Sequence, residues 1–183
     1  NINFESGFEF ESQKILISDL KNSKSKKQIE KILKRHDWIQ EYSLIFKPFK
    51  KEIYLNIKNR EPVFILNNEF FYDKDLHPFK YDLSRRGLIV AEGPIDEPKT
   101  ILKLIEEIES ISNVQFKIRK INYSYVNGWD VVSDKTLIRF GNDLSEKRFK
   151  NFKDTSNYLL DIGKIPSIID MRYKDGVALN YGK

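Results

Sequence analysis

Side chains that could bind a metal or transfer protons are few and scattered in this sequence of 183 residues. There are two histidines and no cysteine, which excludes thiol catalysis, disulfides and cysteine-ligated zinc. His36 completes the apolar stripe of a predicted helix, and His77 precedes Pro78 in a predicted turn. We predict that both histidines are structural, because two separated histidines do not favour a transition-metal site.

Acidic pairs are the other candidates for chemistry. Asp73 and Asp75 lie in a predicted turn, and Glu106-Glu107 lies on the solvated face of a predicted helix. Acid–base catalysis needs carboxylates that converge on one substrate, which a sequence alone does not establish. The sequence contains no glycine-rich phosphate loop and no His-Glu-x-x-His motif. We therefore predict a protein that is not an enzyme and has no catalytic residue, cofactor or metal site.

The charge balance is mildly basic, with a formal net charge of +5 at pH 7. The lysines are scattered, which favours a solvated surface over a nucleic-acid site. The segment whose sequence is most like a polyanion-binding site is Phe46–Lys51, where two phenylalanines alternate with lysines around Pro48. We predict that this segment is a loop between two strands, with a role near a membrane or a polyanion as the lesser alternative. No stretch reaches the ~18 apolar residues of a spanning helix.

The elements that would position these residues follow from hydrophobic periodicity. The first third indicates the order β-α-α-β-β, with a capping box at Ser25–Gln28 before a helix. Short strands follow, together with helices near Pro98–Ser110 and Asp143–Leu160. We predict an α+β fold in which residues 1–65 form the first domain and residues 66–183 form a mixed sheet backed by helices.

The segment Ser167–Tyr181 alternates between apolar and polar positions. Asp175-Gly176 predicts a tight hairpin turn with positive φ. The last strand, Val177–Tyr181, is predicted to be a sheet edge that carries neither charge nor proline to prevent pairing. A hairpin with one face on its own core explains the alternation. The unprotected edge indicates a second interpretation, β-augmentation, in which a partner adds a strand.

Several stretches resemble, in the same order, those of the FtsQ/DivIB family of bacterial cell-division proteins. The hairpin reads IIDMRYKDGVALNY, and similar motifs upstream are GWDVVSDKTLIRFG, EFFYDKDLHPF and DWIQEYSLIFKPFKKEIYLNIKNREPVFIL. The likeness covers Ser25 to Tyr181 and extends across both predicted domains. The first predicted domain is similar to the end of that family's POTRA domain, and the second to its β domain.

The resemblance implies a non-enzymatic scaffold that binds FtsB-like and FtsL-like membrane division proteins and helps recruit and regulate septal peptidoglycan synthesis. It also implies a single-pass protein of the bacterial inner membrane whose anchoring N-terminal helix is absent from this chain, with this region in the periplasm. Partner binding would use the end of the β domain, and the matching residues here are Arg172, Tyr173, Asp175, Gly176, Val177, Ala178 and Tyr181.

Two other functions stay open at this point. One is a POTRA-type module that binds polypeptides in a transport or assembly system, and it would also use strand addition. The other is a basic nucleic-acid binder, which would bind DNA or RNA with a steep dependence on salt. Because the chain begins at Asn1 and not at Met, we expect a processed product or a fragment, in which any upstream membrane segment would not be visible.

Overall fold

The structure is a computed structural model, and it describes residues 1–6, 10–23, 25–50, 52–80, 82, 84–111, 116–174 and 176–182. In chain order the elements are β1 (Ile2–Phe4), α1 (Glu11–Lys21), α2 (Lys26–Leu33), β2 (Ile39–Lys47), β3 (Glu52–Asn59), β4 (Phe64–Leu66), β5 (Phe70–Tyr72), β6 (Pro78–Lys80), β7 (Ile89–Glu92), α3 (Pro98–Glu109), β8 (Ile118–Ser124), β9 (Gly128–Ser133), β10 (Leu137–Gly141), α4 (Glu146–Asp161), β11 (Ile168–Asp170) and β12 (Ala178–Asn180). This mixture of helices and sheets confirms the predicted α+β class.

The chain divides into two compact units. Unit 1 comprises Asn1–Val63 and Glu69–Leu88, and unit 2 comprises Phe64–Asn68 and Ile89–Lys183. The domain boundary near residue 65 stays a prediction. In the ranges that the structure describes, no helix has both the length and the apolar composition needed to cross a membrane.

Unit 1 begins with the predicted order β-α-α-β-β. Its three-stranded sheet has the order β1-β3-β2, in which β1 is parallel and β2 antiparallel to β3. Helix α1 has 11 residues. It begins at Glu11 because the Gln13 side chain is fully buried and its Oε1 accepts a hydrogen bond from the Phe10 amide at 3.0 Å.

A second part of unit 1 is the hairpin of β5 and β6. These strands are antiparallel, and the buried rings of Phe71 and Phe79 lie opposite each other with centroids 5.2 Å apart. The turn between them is held by Asp73, whose carboxylate accepts hydrogen bonds from the amides of Asp75 and His77. This hairpin therefore has both an apolar pair and a capped turn.

Unit 2 is a mixed sheet covered by helices. Its strands are neighbours in the order β12-β11-β10-β9-β8-β7-β4. The pairs β4–β7, β7–β8 and β10–β11 are parallel, whereas β8–β9, β9–β10 and β11–β12 are antiparallel. A row of directly opposed residues crosses the sheet and is buried until its last member, in the order Ala91, Ile121, Val131, Ile138, Ile169 and Leu179.

Two large aromatic residues lie in the core of this unit. Phe152 of α4 is fully buried, and its ring centroid is 5.5 Å from that of Phe140 and 5.8 Å from that of Phe116. Trp129 of β9 is buried, and its ring centroid is 4.7 Å from that of Tyr123. The contacts of Phe152 fix α4 on the sheet that ends at β12.

The start of α4 was predicted two residues too early. The helix was predicted near Asp143–Leu160, but Ser145 is its N-cap and Glu146 its first residue. The Ser145 hydroxyl accepts a hydrogen bond from the Arg148 amide, and Asp143 Oδ1 accepts one from the Ser145 amide. Asp143 therefore stabilises the turn before the helix.

Candidate partner-binding edge

The strand β12 is the outermost strand of unit 2 among the described residues. It pairs with β11 in the register Ile168 to Asn180, Ile169 to Leu179 and Asp170 to Ala178. The ordered strand is shorter than the predicted Val177–Tyr181. Its outer side therefore has unpaired backbone groups over about one short strand, a length suited to the addition of one segment.

The hydrogen bonds of Asn180 define which backbone groups point outward. Its carbonyl accepts from the Ser167 amide at 2.8 Å and from the Ser167 hydroxyl at 3.0 Å, so it faces β11. Successive residues of a strand direct their amide and carbonyl to opposite sides. Ala178 therefore also faces β11, and the amide and carbonyl of Leu179 face away from it.

The connection between β11 and β12 corrects the prediction of a tight turn. It runs over residues 171–177, and Gly176 does not have the positive φ that was expected. Met171 is fully buried, and its amide donates a hydrogen bond to the Arg139 carbonyl at 2.8 Å. Met171 thus stays bonded to β10, whereas pairing with β12 ends at Asp170. Asp175 lies outside the described residues.

Tyr173 lies in this connection with its side chain 57% exposed. Its carbonyl accepts a hydrogen bond from Arg148 Nη1 of α4 at 2.9 Å. The backbone is thus attached to the helix while the ring stays in solvent. Tyr181, just after β12, also has an exposed ring. The edge of β12 thus has two exposed tyrosines near it. Tyrosine has an apolar ring with a polar end, and it is enriched at protein interfaces.

Arg172 turns back onto the strand that precedes it. Its Nε and Nη2 donate to the two oxygens of Asp170 at 2.9 and 2.6 Å, a bidentate pair. This pairing holds the pKa of the Asp170 carboxyl below its ordinary value. Gly141 has a positive φ, and a Cβ there would lie 3.0 Å from Arg172 Cγ. Gly141 thus leaves room for the arginine stem.

A row of polar residues crosses the other face of the sheet toward β12. Asp130 of β9 lies opposite Arg139 of β10, which lies opposite Asp170 of β11, which lies opposite Ala178. Burial raises the pKa of the Asp130 carboxyl, and the charge of Arg139 acts in the opposite direction. Within the described part of the chain, Asp130 Oδ1 and Arg139 Nε are buried without a hydrogen-bond partner.

Apart from Asp175, the residues predicted for partner binding lie at one end of the sheet of unit 2. Arg172, Tyr173, Gly176, Ala178 and Tyr181 are exposed, and Val177 is half-buried. The sequence did not single out Leu179, whose backbone faces outward, because strand parity alone does not say which side carries the neighbouring strand. It also missed Arg148, although its position three residues after an N-cap serine was visible. Asp130 and Arg139 were missed because their opposition depends on strand register.

Two clusters elsewhere serve local structure in unit 1. Asp73, Asp75 and His77 have ligand-type atoms within 4.8 Å of one another. However, Asp73 Oδ2 accepts a hydrogen bond from Arg60 Nη1 at 2.8 Å, and Asp73 Oδ1 accepts from the Asp75 and His77 amides. The carboxylate is thus committed to the turn. His36 is a packed histidine, as predicted, and its Nδ1 accepts from Trp38 Nε1 at 3.2 Å.

Comparisons with known proteins point to one family. The chain is 26% identical over 151 residues to the cell division protein FtsQ of Neisseria meningitidis serogroup B, an alignment that covers 81% of this chain and 64% of the relative. FtsQ of Neisseria gonorrhoeae is also 26% identical, with 81% of this chain and 62% of the relative covered. The resemblance to the FtsQ family is confirmed.

The similarity extends over 151 residues and is therefore not confined to one short motif. The chain spans a little under two thirds of the length of the curated relatives it matches. No family model matches the sequence. Both relatives are named as cell division proteins, so the candidate edge is considered below in that context.

Proposed function

We propose that this chain is an FtsQ-type scaffold of the division machinery, which acts by binding other proteins and not by catalysis. The similarity to two cell division proteins over 81% of the chain is the observation that carries this proposal. The partners are FtsB-like and FtsL-like membrane proteins of the extracytoplasmic division site, as the family resemblance implies. Recruitment and regulation of septal peptidoglycan synthesis would follow from assembly of this complex.

The proposed contact is strand addition on β12. The outward amide and carbonyl of Leu179 supply one paired position, and the Val177 carbonyl and the Tyr181 amide extend it by alternation. Backbone hydrogen bonds of this kind give affinity and register, whereas side chains select the partner. Tyr173, Tyr181 and Arg172 surround the edge and are the proposed selective residues.

Amide hydrogen exchange tests the contact directly. The chain is mixed with the extracytoplasmic segment of an FtsB-like protein from the same cell, and exchange is followed at individual amides. We expect the Leu179 amide to exchange rapidly in the free chain and slowly in the complex. The Ala178 amide provides the internal control, because it already faces β11 and should be protected in both states.

Two outcomes would contradict the proposal. If the partner segment binds and Leu179 exchange is unchanged, the contact is not strand addition at β12. If the segment does not bind, while unrelated extended peptides protect the same amide, the chain is a general polypeptide-binding module. Calorimetry of each mixture separates these results, because it measures binding independently of its location.

A further inference from the structure

The outer end of the β2–β3 hairpin in unit 1 exposes large apolar side chains. The strands are joined by a single turn of 3-10 helix, Pro48–Lys50. Phe49 in this turn is 102% exposed, so its ring contacts essentially nothing. Ile45 and Phe46, in the last part of β2, are also more than half exposed. We call Ile45–Lys50 the apolar tip.

Packing inside unit 1 does not explain the apolar tip. Adjacent strand residues point to opposite faces, so Ile45 and Phe46 lie on different faces of the hairpin. Phe46 is paired with Ile53, which lies closer to the turn than Leu55, the first buried residue of β3. The hairpin therefore extends past the core with apolar groups on both faces and at its turn.

Basic residues surround these apolar groups. Lys47 and Lys50 belong to the apolar tip, and Lys51 follows in the sequence. Lys47 Nζ lies 4.4 Å from the centroid of the Tyr54 ring, on the same face as Ile45. The acidic residue nearest in sequence is Glu52, whose Oε2 accepts a hydrogen bond from the Tyr54 hydroxyl at 2.8 Å. The local charge is thus positive beside the exposed rings.

We propose that the apolar tip inserts Phe46 and Phe49 into the surface of a lipid bilayer that contains anionic lipid, with Lys47 and Lys50 at the phosphate groups. Apolar burial and attraction to anionic lipid act together in interfacial binding. Lysine suits this position because its stem can lie along apolar surface while its charge stays in water. A protein groove would have to enclose both faces and the turn, whereas a lipid interface adapts around a projecting tip.

The experiment measures partition of the 183-residue chain into vesicles by co-sedimentation. Vesicles of phosphatidylcholine alone are compared with vesicles that also contain phosphatidylglycerol. We expect stronger binding to the anionic vesicles, and weaker binding as salt is raised above ~0.1 M. Phe49→Ser should lower the partition coefficient at least about tenfold, and Lys50→Gln should lower it about fivefold on anionic vesicles only.

The β8–β9 turn provides a matched control. Val126 is 89% exposed in that turn, next to exposed Tyr125 and without a lysine among its sequence neighbours. Val126→Ser should leave partition unchanged. A positive signal comes from Phe49→Trp, because Trp38 and Trp129 are buried. The new tryptophan should shift to shorter emission wavelengths with anionic vesicles and be quenched by brominated lipid.

Several results would overturn the proposal. They are equal binding to both kinds of vesicle, unchanged partition of the folded Phe49→Ser variant, or a Phe49→Trp emission that anionic vesicles do not alter. Circular dichroism verifies the fold of each variant. A labelled single-stranded DNA is included as a further probe. If DNA binds in a manner that requires Lys50, and vesicles do not, the surface is a nucleic-acid site and the lipid proposal fails.

Discussion

At the residue scale, Tyr173 combines an exposed ring with a fixed backbone. Arg148 holds its carbonyl at 2.9 Å, so little ordering is needed when the ring binds a partner. We expect Tyr173→Ala to weaken binding of the FtsB-like segment by about 2 kcal/mol, the size of an interface hot spot. Calorimetry measures the loss, and circular dichroism verifies that the fold remains.

Tyr158 provides the control for this substitution. It lies on α4 in the same unit and is 56% exposed, against 57% for Tyr173. Tyr158→Ala removes a similarly exposed ring outside β12 and the connection that precedes it, and its binding should equal that of the unaltered chain. Equal affinities for the two alanine variants would contradict a specific role of Tyr173.

Asp170 leads to a prediction about how the free energy of unfolding depends on pH. Its hydrogen bonds from Arg172 lower the pKa of the carboxyl in the folded chain. The pair therefore stabilises the fold above the ordinary aspartate pKa of about 4, and the contribution is lost as pH falls through the lower folded value. Asp170→Asn should cost about 1 kcal/mol at neutral pH, a figure reduced for screening of the partly exposed Arg172.

The measurement is the free energy of unfolding in urea as a function of pH. The difference between Asp170→Asn and the unaltered chain should narrow below pH ~4 and vanish at still lower pH. Asp154→Asn, at an exposed position of α4, is the control. A difference for Asp170→Asn that persists unchanged into acid would show that packing, and not the ion pair, supplies the stabilisation.

At the element scale, β12 separates two kinds of backbone group. The Leu179 amide faces away from β11, whereas the Ala178 amide faces it. Leu179→Pro should therefore abolish partner binding with little change in stability, because it removes an outward donor. Ala178→Pro should instead lower the melting temperature, because it removes a donor of the β11–β12 pair.

The side chain of Leu179 is half-buried, so a second variant is needed. Leu179→Ala keeps the amide and removes most of the side chain, and it should retain more affinity than Leu179→Pro. Binding by calorimetry and melting by circular dichroism are measured for all three variants. If Ala178→Pro removes binding from a folded chain and Leu179→Pro does not, the assignment of Leu179 as the residue whose amide points outward is wrong.

Most elements were predictable because their signals are local. Ser25 caps α2, its hydroxyl accepting from the Gln28 amide at 3.3 Å, and Pro98 opens α3 as its position indicated. The connection after β11 was mispredicted because Asp-Gly is a local turn signal, whereas Met171 is drawn toward β10 by burial and by a hydrogen bond. A tertiary contact outweighed the turn preference there.

At the scale of the whole molecule, the two compact units are not continuous in sequence. Glu69–Leu88 joins unit 1, although it follows Phe64–Asn68 of unit 2 in the chain. That grouping depends on contacts between residues distant in sequence. Arg60 pairs with Asp73, and the Ser12 amide and hydroxyl donate to Asp82 at 2.8 and 2.6 Å. The edge position of β12 was predictable, but the outward face of Leu179 required its pairing with β11.

The segments that make up unit 1 lead to a prediction about which fragment of the chain folds independently. A fragment of residues 1–88 retains the hairpin with Phe71 and Phe79. It also retains the ion pair of Asp73 with Arg60 and the hydrogen bonds of Asp82 with Ser12. A fragment ending at residue 65 loses them all. Burial of each phenylalanine contributes about 2 kcal/mol or more, and small domains have only ~5–15 kcal/mol of stability.

We expect residues 1–88 to unfold cooperatively in urea and residues 1–65 to lack a cooperative transition. Phe71→Ala in the longer fragment should lower its stability by about 3–5 kcal/mol, whereas Phe49→Ala, at the exposed tip, should not. A cooperative transition of equal midpoint in both fragments would instead support a domain boundary near residue 65.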